Sequence, residues 1–191
     1  MKSLMQQALG SDWGKLHPAL QAHYQFAPNM DVGQLDIEYP RFMQPILHVL
    51  HGCGALINRD GKNVATRVEK HSAGERQYWR RTLTYADGQV IQFNSYTVSA
   101  GSNQLIEFVN PVLGLQMAVQ VHDGQLHYQG VRYVMKLGSL LLPIPEWLAL
   151  GHTSIVEVGG DDQHFSMDFR LRHPLFGQIF RYSGVLENVR L

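Results

Sequence analysis

The chain has 191 residues, 45% of them hydrophobic, which is enough for one domain to bury a core without disulfides or metal staples. Its 16 basic and 16 acidic residues cancel, so no global field draws it to nucleic acid, an anionic membrane or an acidic partner. A single cysteine, Cys53, excludes an internal disulfide framework and any cysteine-based zinc motif.

The first residues carry one positive charge and reach Gln6 and Gln7 before any useful apolar run, so no signal peptide is expected. From Lys2 to Phe26 the pattern is helical: Leu4, Met5, Ala8 and Leu9 form one stripe, Ser11 offers a cap, and Leu16, Leu20 and Tyr24 continue the spacing. Pro18 either splits this stretch or sits in the first turn of a second helix. Gln34 to Tyr39 alternates as a short strand that Pro40 ends. A helix is predicted from Arg41 to Cys53, with Met43, Ile46, Leu47 and Leu50 buried and Cys53 close to that stripe.

The β pattern begins at Val64 to Lys70. In Arg76 to Tyr85, Trp79, Arg81, Leu83 and Tyr85 share one parity, which puts an arginine among large apolar side chains. Ile91, Phe93, Ser95 and Thr97 share a face in the next run, and Leu105 and Val109 flank Glu107 in the one after. Leu113 to His122 alternates cleanly, and Asp123-Gly124 suits a two-residue hairpin with positive φ at both positions. Beyond it Leu126 and Tyr128 lie on one parity but Val131, Tyr133, Met135 and Leu137 on the other, which predicts a bulge at Gln129-Gly130. Ser139 to Gly151 reads as a turn and one short helix around Trp147, able to cap an open end of a sheet. Its apolar run, broken by Pro143, Pro145 and Glu146, is well short of the roughly 20 residues that span a bilayer, so no transmembrane segment is expected. Three more strands finish the chain, the middle one alternating Phe165, Met167, Phe169 and Leu171 with polar residues.

The segments Leu9-Gly-Ser-Asp-Trp-Gly-Lys-Leu-His-Pro-Ala-Leu, Gly74-Glu-Arg-Gln-Tyr-Trp-Arg-Arg and Phe169-Arg-Leu-Arg-His-Pro-Leu-Phe-Gly-Gln-Ile-Phe-Arg-Tyr-Ser-Gly resemble a bacterial family catalogued as domain of unknown function 4166. Members of that family look like stand-alone proteins or C-terminal partners of saccharopine-dehydrogenase-like NAD-binding modules. The resemblance therefore implies an accessory or substrate-handling role beside a dehydrogenase. It brings no catalytic residue with it; the matched Trp79, Arg80, Arg81, Arg181 and Tyr182 are positions to test.

No catalytic motif stands out. His48 and His51 fall on the polar face of their helix with Cys53 turned away from them, so no metal site is expected. His122, His127, His152, His164 and His173 fall near strand ends or on outward parities. Neither Gly101-Ser102-Asn103 nor Gly138-Ser139-Leu140 supplies a nucleophile elbow. Gly52-Cys53-Gly54 and Gly159-Gly160 lack the strand-to-helix context of a dinucleotide site, so no cofactor is expected. The carboxylates Glu107, Glu157, Asp168 and Glu187 are dispersed among different strands. The inward Arg81 is the sharper signal. It requires a partner, either an inward carboxylate in a structural ion pair or the anionic group of a ligand.

The chain is thus expected to be mainly β (α+β), a single antiparallel meander of about eight to ten strands curved into a barrel or half-barrel and covered by N-terminal helices. The expected layout is one domain over 1–191, with helical segments in 1–54 and the sheet over 62–190. The expected role is non-enzymatic binding of an apolar or amphipathic small molecule between sheet and helices, with Trp79, Arg81, Tyr133, Trp147 and Tyr182 around it, in a soluble, cytoplasmic protein without nucleic-acid partners. The alternative is an accessory or substrate-handling subunit of a partner oxidoreductase.

Overall fold

The structure, a computed structural model, describes residues 1–189; the expected sheet boundary at 190 lies outside the described residues. Its strands are β1 (Asn29–Glu38), β2 (Gly61–Ala73), β3 (Arg76–Thr84), β4 (Val90–Ser99), β5 (Gln104–Phe108), β6 (Leu113–His122), β7 (Gln125–Leu137), β8 (Leu140–Ile144), β9 (His152–Gly159), β10 (His164–His173) and β11 (Gly177–Val189). All pairings are antiparallel. Each strand from β1 to β7 pairs with the next, β7 continues to β9, then β10 and β11, and β11 returns to β1. The result is an up-and-down barrel of ten strands, with β8 an additional strand attached to the outer half of β7. Closure removes the exposed edges that an open sheet of this length would leave.

Alternation builds the wall. In β3 the buried side chains are Gln77, Trp79 and Leu83, while Arg76, Arg80 and Thr84 are exposed. Asp123 (φ 49°) and Gly124 (φ 78°) both take positive φ and turn β6 tightly into β7, as expected. The phase change in β7 is a bulge: Gln116 pairs with Arg132 but Met117 with Gly130, leaving Val131 as the extra residue. It falls one position beyond the expected dipeptide.

The two ends of the barrel differ. One is plugged by α1 (Leu4–Leu9), a 3-10 turn (Gly10–Lys15) and α2 (Pro18–His23). Pro18 occupies the first turn of α2. Ser3 caps the first helix: its hydroxyl accepts from the Gln6 backbone while the Gln6 side chain accepts from the Ser3 backbone. Ser11, the expected cap of the restart, lies inside the 3-10 turn, and His17 caps α2 instead. Met5, Leu16, Leu20 and Tyr24 bury themselves against strand residues such as Val119, Leu126 and Phe165. At the opposite end α3 (Gln44–Gly52) lies beside the mouth.

Four expectations need correction here. The first strand begins at Asn29, not Gln34, because both edges of β1 are paired along most of its length. The helical segment starts as a 3-10 turn (Arg41–Met43), whose tighter winding breaks the expected stripe: Met43 and Leu47 are buried, but Ile46 is exposed. Cys53 is exposed, because the helix ends at Gly52 and Cys53 falls in the turn that caps it. The Ser139–Gly151 insert is not a turn and a helix but the edge strand β8 followed by a single 3-10 turn (Glu146–Leu148). Pro143 is tolerated in β8 because an edge strand has one unpaired side.

Candidate functional site

The barrel encloses a cavity of about 360 Å³ between the α1–α2 plug and the mouth. Apolar side chains from opposite walls, among them Leu83, Leu105, Met117, Ile155 and Leu186, face it. Leu50 in α3 and Leu56 after it, with Ile144 at the end of β8 and Leu150 beyond, line it at the mouth. The strand register explains that opening. β9 pairs with β7 only over Leu126–Gln129, while Tyr133–Leu137 pair with β8, so β7 and β9 part company toward the mouth.

Three polar clusters interrupt the apolar lining. In the first, Arg81 donates from Nη2 to Glu107 Oε1 (3.0 Å) and from Nη1 to Ser95 Oγ (2.8 Å), and Ser95 donates to the same carboxylate (2.6 Å). The register produces this contact: Trp79 stands opposite Ser95, and Thr97 opposite Glu107. The guanidinium also lies 5.2 Å from the Trp79 ring and 5.3 Å from the Phe93 ring. Burial works to lower the Arg81 pKa, but Glu107 together with Tyr182 and Tyr24 outweighs it and the net shift is upward.

In the second cluster Tyr128 donates to Tyr24 (2.6 Å), whose hydroxyl in turn reaches both carboxyl oxygens of Glu157 (2.9 and 2.8 Å). Burial raises Glu157 to about 8, so it holds its proton at neutral pH, and burial raises both tyrosines as well. In the third, His23 Nδ1 lies 2.7 Å from Asp31 Oδ2 and 2.7 Å from Lys70 Nζ, and Lys70 also reaches the same carboxylate. Asn188 donates to the other Asp31 oxygen at 2.8 Å. Burial lowers His23 to about 4 and Lys70 to about 8, in both cases against the pull of Asp31. It also works to raise Asp31, but His23 and Lys70 outweigh it and hold the carboxyl below the usual range. His23 Nε2 has no hydrogen-bond partner among the described residues although His23 lines the cavity.

These clusters balance at neutral pH. Lys70 offsets Asp31, Arg81 offsets Glu107, and His23 and Glu157 are uncharged.

Of the residues singled out from the sequence, Trp79, Arg81, Tyr133 and Tyr182 line the cavity. Tyr182 stacks on Phe169 with centroids 4.6 Å apart, and Tyr133 donates to the Gly151 carbonyl at 3.3 Å. Trp147 is not among them: at 64% exposure it lies outside the mouth, because the 3-10 turn that carries it follows β8 on the outside of the ring. Sequence reasoning missed the buried groups His23, Asp31 and Lys70, and it placed Tyr24 on an apolar stripe and Tyr128 on the parity of Leu126 without their hydrogen-bonded cluster. It noticed Glu157 only as one of several scattered carboxylates. Parity held the signal for two of them, since Glu157 shares its face with Thr153 and Ile155, and Lys70 with Val64 and Val68, all buried.

The family model described as Domain of unknown function (DUF4166) matches residues 16–186. Among curated proteins none matches. Among solved structures, the N-terminal dehydratase from the difficidin assembly line is similar over 90% of this chain and 81% of that one, with 7% identity and a TM-score of 0.19. A likeness that weak carries no argument about chemistry.

Proposed function

The chain belongs to the DUF4166 family, and we propose that it binds a neutral, mainly apolar small molecule inside the barrel. The observation that carries this reading is the cavity of about 360 Å³ inside the barrel, apolar except for polar groups whose charges already cancel. That volume suits a small organic ligand. Desolvating an anion beside the Arg81–Glu107 pair would set it against a carboxylate as well as the guanidinium, so a charged headgroup gains little there. A hydroxyl or carbonyl faces no such cost, and His23 Nε2 offers it an unused hydrogen-bonding atom. This reading makes no use of a dehydrogenase partner.

The test is displacement of a neutral fluorophore, N-phenylnaphthylamine, whose emission rises in apolar surroundings. Wild-type protein should enhance it, dodecanol should displace it, and dodecanoate should compete about tenfold less well. Leu115→Trp adds a large side chain to the cavity lining and should abolish the enhancement without unfolding the barrel. Equal enhancement by wild type and variant, or none by either, would rule out binding inside the barrel.

A further inference from the structure

Tyr24, Tyr128, Tyr133 and Tyr182 line the cavity. The first three have partners for their hydroxyls: Tyr128 donates to Tyr24, Tyr24 to Glu157 and Tyr133 to the Gly151 carbonyl. Trp79 and Thr66, also on the lining, are occupied as well, the indole N–H by Thr97 and the hydroxyl by the Val64 carbonyl. The Tyr182 hydroxyl bonds to no group among the described residues. Burial pushes its pKa well above the ordinary value, so it keeps its proton and is a hydrogen-bond donor without an acceptor.

Its ring is fixed. Tyr182 lies flat on Phe169, with centroids 4.6 Å apart and planes 5° from parallel, and meets the Phe180 ring edge-on at 6.2 Å. Phe180 and Leu186 share its parity and are buried, so the surface that Tyr182 keeps exposed faces the cavity. Arg81 and Glu107 stand across from it. In the ring order β5, β4, β3, β2, β1, β11, Glu107 and Tyr182 lie half the barrel apart, on opposite walls. Glu107 Oε1 already accepts from Arg81 and Ser95, and Oε2 is the carboxylate oxygen left free on that wall among the described residues.

We propose that the molecule held in the barrel carries a carbonyl oxygen, as in a long-chain ester or ketone, and that this oxygen accepts a hydrogen bond from the Tyr182 hydroxyl. The assignment rests on binding inside the barrel and adds the polar group that the ligand must have. A phenol O–H facing an apolar cavity without a partner is costly, and a pure hydrocarbon would leave it so. A carbonyl satisfies it and brings no hydrogen of its own. A hydroxyl would bring one, and the free carboxylate oxygen of Glu107 lies on the far wall. Stacking on Phe169 holds the donor in place before the ligand arrives, so forming the bond orders little.

Displacement of N-phenylnaphthylamine by methyl undecanoate, dodecane and dodecanol, from wild type and from Tyr182→Phe, tests the proposal. The variant loses only the hydroxyl and keeps the ring stacked on Phe169, so it should fold as wild type does. Methyl undecanoate should compete about fivefold less well against the variant, and dodecane equally against both proteins. The infrared carbonyl band of methyl undecanoate bound to wild type should lie below its position in hexane, a readout that does not depend on the variant. Equal competition by the ester against both proteins, or a carbonyl band at its hexane position, would overturn the carbonyl assignment while leaving binding inside the barrel intact. So would a larger loss for dodecanol than for the ester, because the Tyr182 hydroxyl would then serve an alcohol. A probe whose emission wild type does not enhance would instead remove binding inside the barrel, and the assignment with it.

Discussion

Arg81 shows how much a single inward side chain constrains its neighbours. It lies among Trp79, Phe93 and Leu83 and is held by Glu107 and Ser95, two strands and one strand away in the ring. Removing the charge while keeping the volume, as in Arg81→Met, leaves Glu107 without its cation. The expected loss is about 3 to 5 kcal/mol of unfolding free energy, read from the denaturant midpoint, while affinity for a neutral probe changes by less than about threefold. An unchanged midpoint together with lost probe binding would instead make Arg81 part of the binding surface. Both partners were legible in the sequence, since Arg81 shares the parity of Trp79 and Leu83, and Glu107 sits between Leu105 and Val109. Their pairing was not, because parity names a face without saying which strands become neighbours. His23 and Tyr24 were harder still. His23 is the last residue of a helix of six, beside rather than on the stripe of Leu16, Leu20 and Tyr24, and that spacing marked Tyr24 as buried without saying what its hydroxyl would meet.

Among the elements, the strands that alternate were readable and β8 was not. Alternation arises when one face of a strand meets a core and the other meets water; Leu140 to Leu142 are exposed on both parities, so their apolar run carries no period. The segment after β8 is nevertheless well anchored. Glu146 bonds His152 at 2.7 Å and accepts from the Thr153 backbone at 3.3 Å, and Gly151 donates to the Glu146 carbonyl at 2.7 Å. Gly130 in the β7 bulge makes room for this: a Cβ there would stand 1.9 Å from Glu146 Oε1 and 3.1 Å from the Thr153 nitrogen. Gly130→Ala should therefore displace the Glu146 side chain and cost about 1 to 3 kcal/mol. Hydrogen exchange should then quicken over 146–153 while the α1–α2 plug stays protected. Uniform loss of protection would show instead that the bulge supports the whole ring.

For the whole molecule, the buried groups set a pH profile. Ordinary values are 4.5 for Glu157 and 6.5 for His23, against about 8 and about 4 in the barrel. Between 4.5 and 6.5 the native state keeps the Glu157 proton that the unfolded chain has lost, and lacks the His23 proton that the unfolded chain has gained, so the two slopes oppose. Between 6.5 and 8 Glu157 dominates, with Lys70 beginning to oppose it near 8: the native state binds the extra proton, and stability falls as pH rises, by about 1 to 2 kcal/mol across the window. Above about 8 the slope reverses, because Lys70 has lost a proton in the native state that the unfolded chain keeps to about its ordinary 10.5. Glu157→Gln should flatten the decline from 6.5 to 8 in denaturation midpoints; a decline that persists in the variant would assign it to another group. The β1–β11 seam carries a different consequence. Met30 pairs with Val189 and Glu38 with Arg181, so the first strand meets its second neighbour only when the last strand has been made. While the ribosome is still at work, one edge of β1 has no native partner, and the ring cannot close. Folding therefore completes after synthesis of β11, and a chain stalled before it exposes an unpaired edge to other nascent chains.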